Sequence, residues 1–345
     1  MDIQNLEGEE LLDALVGMAL EGEAAPTDGL LRLAEWVEAD PDKEKSPLGG
    51  RLALLCEGAD KVREKLNGDR FDTCSIVNGR SGRCTENCKW CAQAAAHHTG
   101  CKEYDIIGED EFLEAVDMNN GHGVKRFSIV CSGRKVAMKD LRVYCDMYRR
   151  ATDRSALKMC ASMGLLNRGE LQALWDAGVR RYHCNLETSA AFFPTLCTSH
   201  TREDKLRTIA LAREVGMEVC SGGIIGMGET MADRLALARE AMEAGAVSMP
   251  VNLLAPIKGT PLQDTPLLGE REVVLSVALM KLAAPRLLMR FAGGRARISA
   301  AATERMFRGG VSGAIMGDML TTAGNGMADD FAMLHRLGFD TSREA

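Results

Sequence analysis

Short runs of β-branched and apolar residues recur along the chain, at positions 71–78, 126–130, 157–161, 181–186, 218–225, 248–254, 287–292 and 313–317. Between them lie stretches whose apolar positions repeat every three to four residues, as in amphipathic helices, among them 109–119, 138–151, 202–215, 230–244 and 270–284. Thr230 followed by Asp233 is a capping-box signal, each side chain able to satisfy the other's free backbone N–H at a helix start. Gly216, just after Val215, reads as a helix stop, because glycine enters the left-handed conformation without steric cost. Strands alternating with helices predict an α/β fold with a parallel sheet. Eight such units close into a (βα)8 TIM-type barrel, with reactive groups gathered at the C-terminal ends of the strands. An open doubly wound sheet is the alternative. Residues 1–69 read as an N-terminal helical extension containing the linker-like stretch 39–50, and residues 70–345 as the barrel with a C-terminal helix.

Composition narrows the picture. With 345 residues, 46% hydrophobic and 26% charged, the chain can bury a large core, which excludes a disordered or disulfide-stapled miniature protein. The net charge of −7 is concentrated at one end, since residues 1–45 carry 13 acidic and 3 basic side chains. The remainder is nearly neutral and offers no basic face, so nucleic acid is not expected as a partner. No apolar run approaches the roughly 20 residues that span a bilayer. The N-terminus lacks the basic-then-apolar order of a signal peptide, so a cytoplasmic protein without membrane contact is predicted. Twelve cysteines in such a compartment point to metal binding or catalysis, because a reducing environment disfavours stable disulfides.

The strongest motif is Cys84-Thr-Glu-Asn-Cys88-Lys-Trp-Cys91, directly after the first predicted strand. Three thiolates hold three irons of a 4Fe-4S cluster and leave the fourth iron open to substrate. A structural zinc site is the alternative reading, with His97, His98 or Cys101 as a fourth ligand.

The triplet, with Trp90 before its last cysteine, resembles the radical S-adenosylmethionine enzymes. Further segments narrow the resemblance to the biotin synthase family: Asn185-Leu-Glu-Thr-Ser189, Cys220-Ser-Gly-Gly-Ile-Ile-Gly-Met-Gly-Glu229, Val251-Asn-Leu-Leu, Lys258-Gly-Thr-Pro-Leu262 and Leu320-Thr-Thr322. The match covers roughly residues 70–340, and several independent motifs agree in order. The resemblance implies that the open iron chelates S-adenosylmethionine, that reductive cleavage gives a 5′-deoxyadenosyl radical, and that this radical abstracts hydrogen from dethiobiotin. Sulfur from an auxiliary iron–sulfur cluster would then close the ring of biotin, with electrons from a flavodoxin- or ferredoxin-type donor. It also implies a homodimer.

For the auxiliary cluster, Cys160, Cys220 and Arg290 match family ligand positions, whereas Ser128 stands where a cysteine is expected and Cys74 appears on the first strand instead. Inward-facing residues recur every second position along a strand, so Cys74, Cys160 and Cys220 on strands one, three and five can line one interior layer. Three thiolates suit a four-iron cluster carrying an extra sulfide better than a 2Fe-2S rhomb. His183 shares the inward parity and can approach that cluster. Cys184 is a rival ligand whose parity turns it toward the helices, and Cys131 has the wrong parity while the strand continues. Cys56, Cys101, Cys145 and Cys197 read as ordinary buried thiols.

Among binding residues, the resemblance assigns Asn185 and Glu187, at the end of the fourth strand, to dethiobiotin and the adenosyl ribose, Lys205 to the methionine carboxylate and Asn252 to the ureido group. Thr321, Thr322 and Arg126 are expected at the acid tail of dethiobiotin. Glu187 and Lys205 replace the family's usual Asp and Arg; a lysine gives a point charge in place of a planar fork. The glycines of 222–228 do not form a dinucleotide fingerprint, because Met231 occupies the third glycine position. Two readings stay beside the first: a related radical enzyme of amino-acid rearrangement or metal-cofactor maturation without sulfur insertion, and a non-catalytic metal scaffold.

Overall fold

The computed structural model describes residues 3–317 and 326–343. Three helices come first, α1 (Gly8–Leu20), α2 (Thr27–Glu38) and α3 (Gly50–Asn67). The chain then runs through β1 (Asp72–Arg80), α4 (Glu109–Gly121), β2 (Arg126–Cys131), α5 (Met138–Arg154), β3 (Lys158–Ser162), α6 (Arg168–Asp176), β4 (Val179–His183), α7 (Phe193–Leu196) and α8 (Arg202–Glu214). It continues with β5 (Glu218–Cys220), β6 (Gly223–Ile225), α9 (Met231–Glu243), β7 (Ser248–Leu253), α10 (Glu270–Ala283), β8 (Leu288–Phe291), α11 (Ala300–Phe307), β9 (Val311–Ile315) and α12 (Met327–Arg336). The named strands pair in parallel in the order β5-β4-β3-β2-β1-β9-β8-β7-β6, and a further β5–β7 pairing closes the ring. Because β5 and β6 occupy one position, this is the expected eight-position parallel barrel.

The predicted capping box is present: Thr230 accepts from the Asp233 backbone and Asp233 from that of Thr230 at the start of α9. Equivalent boxes at Asn167/Glu170 and Thr201/Asp204 start α6 and α8. Gly216 follows α8 with φ of 97°.

Helix α10 explains the helices before the barrel. Every residue from Val273 to Ala283 is buried, and a helix that is apolar all round must be covered on every side. Helices α9 and α11 flank it, and α1, α2 and α3 pack over it. Leu15, Leu33, Leu52 and Leu55 are fully buried and belong to the same core as the barrel strands.

Two strands differ from the sequence pattern. The run expected to be continuous over 218–225 breaks at Ser221-Gly222, where a Cβ on Gly222 would stand 2.1 Å from the Pro250 carbonyl oxygen. The fourth strand ends at His183, so Asn185 and Glu187 lie in the loop beyond it. Glu187 there has φ of 73°, a left-handed value that ends the ladder and is uncommon outside glycine. No helix among the described residues is long and apolar enough to cross a membrane.

Candidate iron–sulfur and substrate site

A cavity of about 450 Å³ opens at the C-terminal end of the barrel and reaches down its lumen. That volume suits a small-molecule or cofactor site. At its mouth, the loop after β1 turns through Gly82 and Arg83, both with positive φ. The turn is fixed by Ser132 Oγ donating to the Gly82 carbonyl at 2.7 Å and by Gly82 N–H donating to Gln93 at 3.0 Å. Cys84, Cys88 and Cys91 follow and line the cavity. Backbone bonds from Cys84 N–H to the Gln93 carbonyl and from Cys91 N–H to the Cys88 carbonyl hold the loop. Burial pushes the Cys91 thiol up to about 11.

The three thiols do not fit a single ion. Among the described residues, Cys88, Cys197 and His200 are the sole group of three such side chains whose ligand atoms all lie within 4.8 Å. Cys84, Cys88 and Cys91 are therefore spaced more widely than the shell of one zinc ion, in which sulfurs stand about 3.8 Å apart, and a cluster fits them better. His97 Nδ1 is bonded to the Cys91 carbonyl oxygen instead of joining a metal set.

Around this triplet stand the expected binding residues. Trp90 packs with Leu196, Met227 and Leu254 in a small apolar cluster at the rim. Asn185 Nδ2 donates to Glu187 at 3.3 Å, and its Oδ1 accepts from the Gly222 N–H at 3.0 Å. The left-handed turn at Glu187 is locked by Gly223, where any Cβ would stand 2.1 Å from the Glu187 carbonyl oxygen. Lys205 is buried, with Nζ 3.8 Å from Glu187. Burial opposes its charge, but Glu187 and the neighbouring thiols outweigh that and raise its pKa. Asn252 spans β6 and β8, donating to the Gly223 carbonyl at 2.9 Å and accepting from Gly293 N–H at 2.8 Å.

Deeper in the lumen, Cys74, Cys160 and Cys220 face one another closely enough to influence each other's ionisation. Burial pushes Cys74 up to about 12. Burial also works against the Cys220 thiolate, yet the hydrogen bond from His183 and the charges of Arg290 and Arg181 bring Cys220 down to about 6. Below them Asp72 binds three guanidiniums: Arg290 at 2.7 Å, Arg181 at 3.0 Å and Arg126 at 3.1 Å. Glu218, half exposed, adds contacts to Arg181 at 2.9 Å and Arg126 at 3.5 Å. Three cations against two carboxylates leave this floor one positive charge in excess, an environment that suits an anionic, thiolate-ligated group.

The chain matches the Radical SAM superfamily over residues 80–241 and the Biotin and Thiamin Synthesis associated domain over residues 250–340. It is 45% identical over 290 residues to a biotin synthase of Porphyromonas gingivalis, covering 84% of this chain and 88% of that protein. A biotin synthase of Desulfotalea psychrophila is 47% identical over 303 residues, with 85% and 90% covered. The chain belongs to the biotin synthase family. Solved structures with the same fold include methylornithine synthase, with TM-score 0.77, 15% identity and 96% and 97% of the two chains covered. The FeFe-hydrogenase maturase from Carboxydothermus hydrogenoformans follows at TM-score 0.75 and 14% identity, covering 96% and 79%.

In this biotin synthase family member one expected residue, Arg126, stands elsewhere than expected. Arg126 begins β2 at the barrel floor and is tied to Asp72 and Glu218, so it does not stand free at the mouth to meet an acid tail. Thr321 and Thr322 lie outside the described residues. Cys184 is buried against α8, with Sγ 4.0 Å from the Lys205 carbonyl oxygen, and the groups that shift its ionisation are Lys205 and Glu187, not the floor thiols. Cys131 is the last residue of β2, buried in the core beside Tyr144. Ser128 does line the lumen, in register with Cys160.

The sequence reading missed two groups. Asp72 and Arg181 complete the floor network; their shared inward parity with Cys74 and His183 was the available signal. Cys197, read as an ordinary buried thiol, lies with its Sγ 3.7 Å from that of Cys88, and His200 three residues on pairs with Glu86.

Proposed function

We propose that the chain converts dethiobiotin to biotin, with Cys84, Cys88 and Cys91 holding a 4Fe-4S cluster that binds S-adenosylmethionine and Cys74, Cys160 and Cys220 holding a sulfur-donating auxiliary cluster. The observation that supports this most is the presence of two separate thiol triads at different depths of one lumen, the deeper one set over an excess of arginine. When bound, the two clusters supply the electron that cleaves S-adenosylmethionine and the sulfur that is inserted. The family's usual fourth position, Ser128, offers a weak ligand, and three thiolates favour a four-iron cluster with an extra sulfide over a 2Fe-2S cluster. Arg290 and His183 flank it, and the Arg290 guanidinium offsets its charge.

The chain's own residues do the rest. Glu187 grips the ribose hydroxyls, and its left-handed backbone aims the carboxylate into the lumen. Lys205, kept charged by Glu187, holds the methionine carboxylate as a point charge. Trp90 and the apolar rim close off the mouth of the cavity and so shield a reactive radical from side reactions. Asn185 and Asn252, each anchored by backbone bonds, present fixed amides to the ureido group and orient the substrate. Thr321 and Thr322 complete the acid-tail contact in this reading. An electron donor of flavodoxin or ferredoxin type, a homodimeric state and a division between residues 1–69 and 70–345 belong to the same reading.

The test is anaerobic incubation of the cluster-loaded chain with S-adenosylmethionine, dethiobiotin and a strong reductant. Biotin and two equivalents of 5′-deoxyadenosine per biotin are expected. Cleavage of S-adenosylmethionine without biotin would shift the reading to a related radical enzyme.

A further inference from the structure

The thiol of Cys197 and the imidazole of His200 take no part in the proposed reaction, yet both are buried beside Cys88. Cys88 Sγ and Cys197 Sγ are 3.7 Å apart, and Cys197 Sγ lies 3.4 Å from Nδ1 and 3.9 Å from Nε2 of His200. A tetrahedral zinc ion with ordinary bond lengths spaces two sulfurs by about 3.8 Å and a sulfur and a nitrogen by about 3.6 Å. The two sulfurs already stand at that edge, and the ligand atoms of all three side chains lie within 4.8 Å of one another. Glu86 is bonded to His200 Nδ1, and a turn of the ring that brings Nε2 to the ion completes the carboxylate–histidine–metal arrangement that orients imidazole ligands.

The two loops that carry these groups are fastened together. Asn87 Oδ1 accepts from the backbone N–H groups of Thr198 and Ser199 at 3.0 and 3.1 Å, and Asn87 N–H donates to Ser199 Oγ at 3.1 Å. The two thiols and the histidine are therefore held side by side before any ion arrives, and the imidazole has only to turn. We propose that in the cluster-free chain Cys88, Cys197 and His200 bind one divalent ion of the zinc class, with water as fourth ligand. Binding displaces the thiol protons of the two cysteines to solvent, and no electron is transferred. Because Cys88 also belongs to the triplet Cys84, Cys88 and Cys91, the ion and the 4Fe-4S cluster exclude one another. Zinc loading thus holds the loop in its folded form while delaying cluster assembly.

The test uses the full chain prepared anaerobically without clusters, titrated with zinc alone and, for a spectrum, with cobalt(II). One ion per chain is expected, and cobalt should give tetrahedral d–d bands with sulfur charge transfer. Affinity should fall at least tenfold in Cys197→Ser and His200→Ala and stay unchanged in Cys84→Ser. In the unmutated chain, zinc should protect Cys88 and Cys197 from alkylation but leave Cys84 and Cys91 reactive. Loss of binding in Cys84→Ser with retention in Cys197→Ser, or protection of Cys84 and Cys91, would place the ion on the cluster triplet and overturn the proposal. None of these readouts depends on biotin formation, so this proposal and the proposed function fail separately.

Discussion

Asp72→Asn removes the charge that three buried guanidiniums share while keeping the side-chain shape. Breaking a buried ion pair by removing one partner costs about 3–5 kcal/mol, since the remaining charge is left uncompensated. Here Arg126 and Arg181 keep Glu218 at 3.5 and 2.9 Å, so the loss falls mainly on Arg290. Its remaining acceptors are the carbonyls of Asp72 at 2.7 Å and Ala314 at 3.3 Å. A loss near the lower bound, about 3 kcal/mol, is expected. Urea unfolding followed by far-ultraviolet circular dichroism measures it, with Glu218→Gln as control. Glu218 is 48% exposed, so its removal should cost under about 1 kcal/mol. The pH dependence gives a second check. Burial alone would raise the Asp72 pKa, yet Arg290, Arg126 and Arg181 hold it well below the usual carboxylate range. A carboxylate with a depressed folded value stabilises above its unfolded pKa of about 4 and loses that stabilisation as pH falls toward the folded value. Measured with Cys220→Ala in both proteins, which removes the thiol that the same arginines influence, the gap between the unmutated side chain and Asp72→Asn should therefore stay constant from pH 5 to 8 and narrow only in stronger acid. A loss no larger than that of Glu218→Gln, or a gap that changes between pH 5 and 8, would refute the reasoning.

Three further outcomes are expected. Lys205→Ala should weaken S-adenosylmethionine binding about 10- to 100-fold, the worth of one charge-assisted hydrogen bond, while Lys205→Arg retains it; calorimetric titration of the cluster-loaded protein reads both. Gly223→Ala should destabilise by about 1–3 kcal/mol through overpacking and weaken the same binding, because its Cβ displaces Glu187; thermal unfolding and the same titration check this. Cys220, with a thiol at about 6 in the fold against about 8.5 unfolded, binds fewer protons folded than unfolded between those values, so its contribution to stability rises with pH there. The slope is at most about 1.4 kcal/mol per pH unit, and urea unfolding of the cluster-free chain at pH 6, 7 and 8 should show a rise that Cys220→Ala removes.

Much of the barrel is legible in the sequence because a parallel strand buried on both faces leaves an apolar run, and because Thr230, Asp233 and Gly216 mark helix ends by local chemistry. The break inside 218–225 is not, since Gly222 is required by the approach of Pro250 from another strand. The placement of Asn185 and Glu187 beyond β4 likewise depends on Gly223, some forty positions along the chain. Parity brought Cys74, Cys160 and Cys220 to one place, but it gave no pairing partners. Arg126, expected at the acid tail of the substrate, is instead anchored to Asp72 and Glu218, partners that parity does not name. The nearly continuous apolar run of α10 is visible from Val273 to Ala283, broken only by Ser276 and Lys281, yet which helices cover it is a tertiary fact. Cys197 carried no motif, and its meaning comes from Asn87 drawing two distant loops together.

The central claim is that the lumen holds a second, sulfur-donating cluster on Cys74, Cys160 and Cys220. Anaerobic iron and acid-labile sulfide content with Mössbauer spectra, compared between the unmutated chain and the Cys74→Ala, Cys160→Ala, Cys220→Ala triple variant, tests it most directly. The triple variant should keep one 4Fe-4S cluster and lose about four irons and more than four sulfides. Equal iron in the two proteins, amounting to a single cluster, would contradict it.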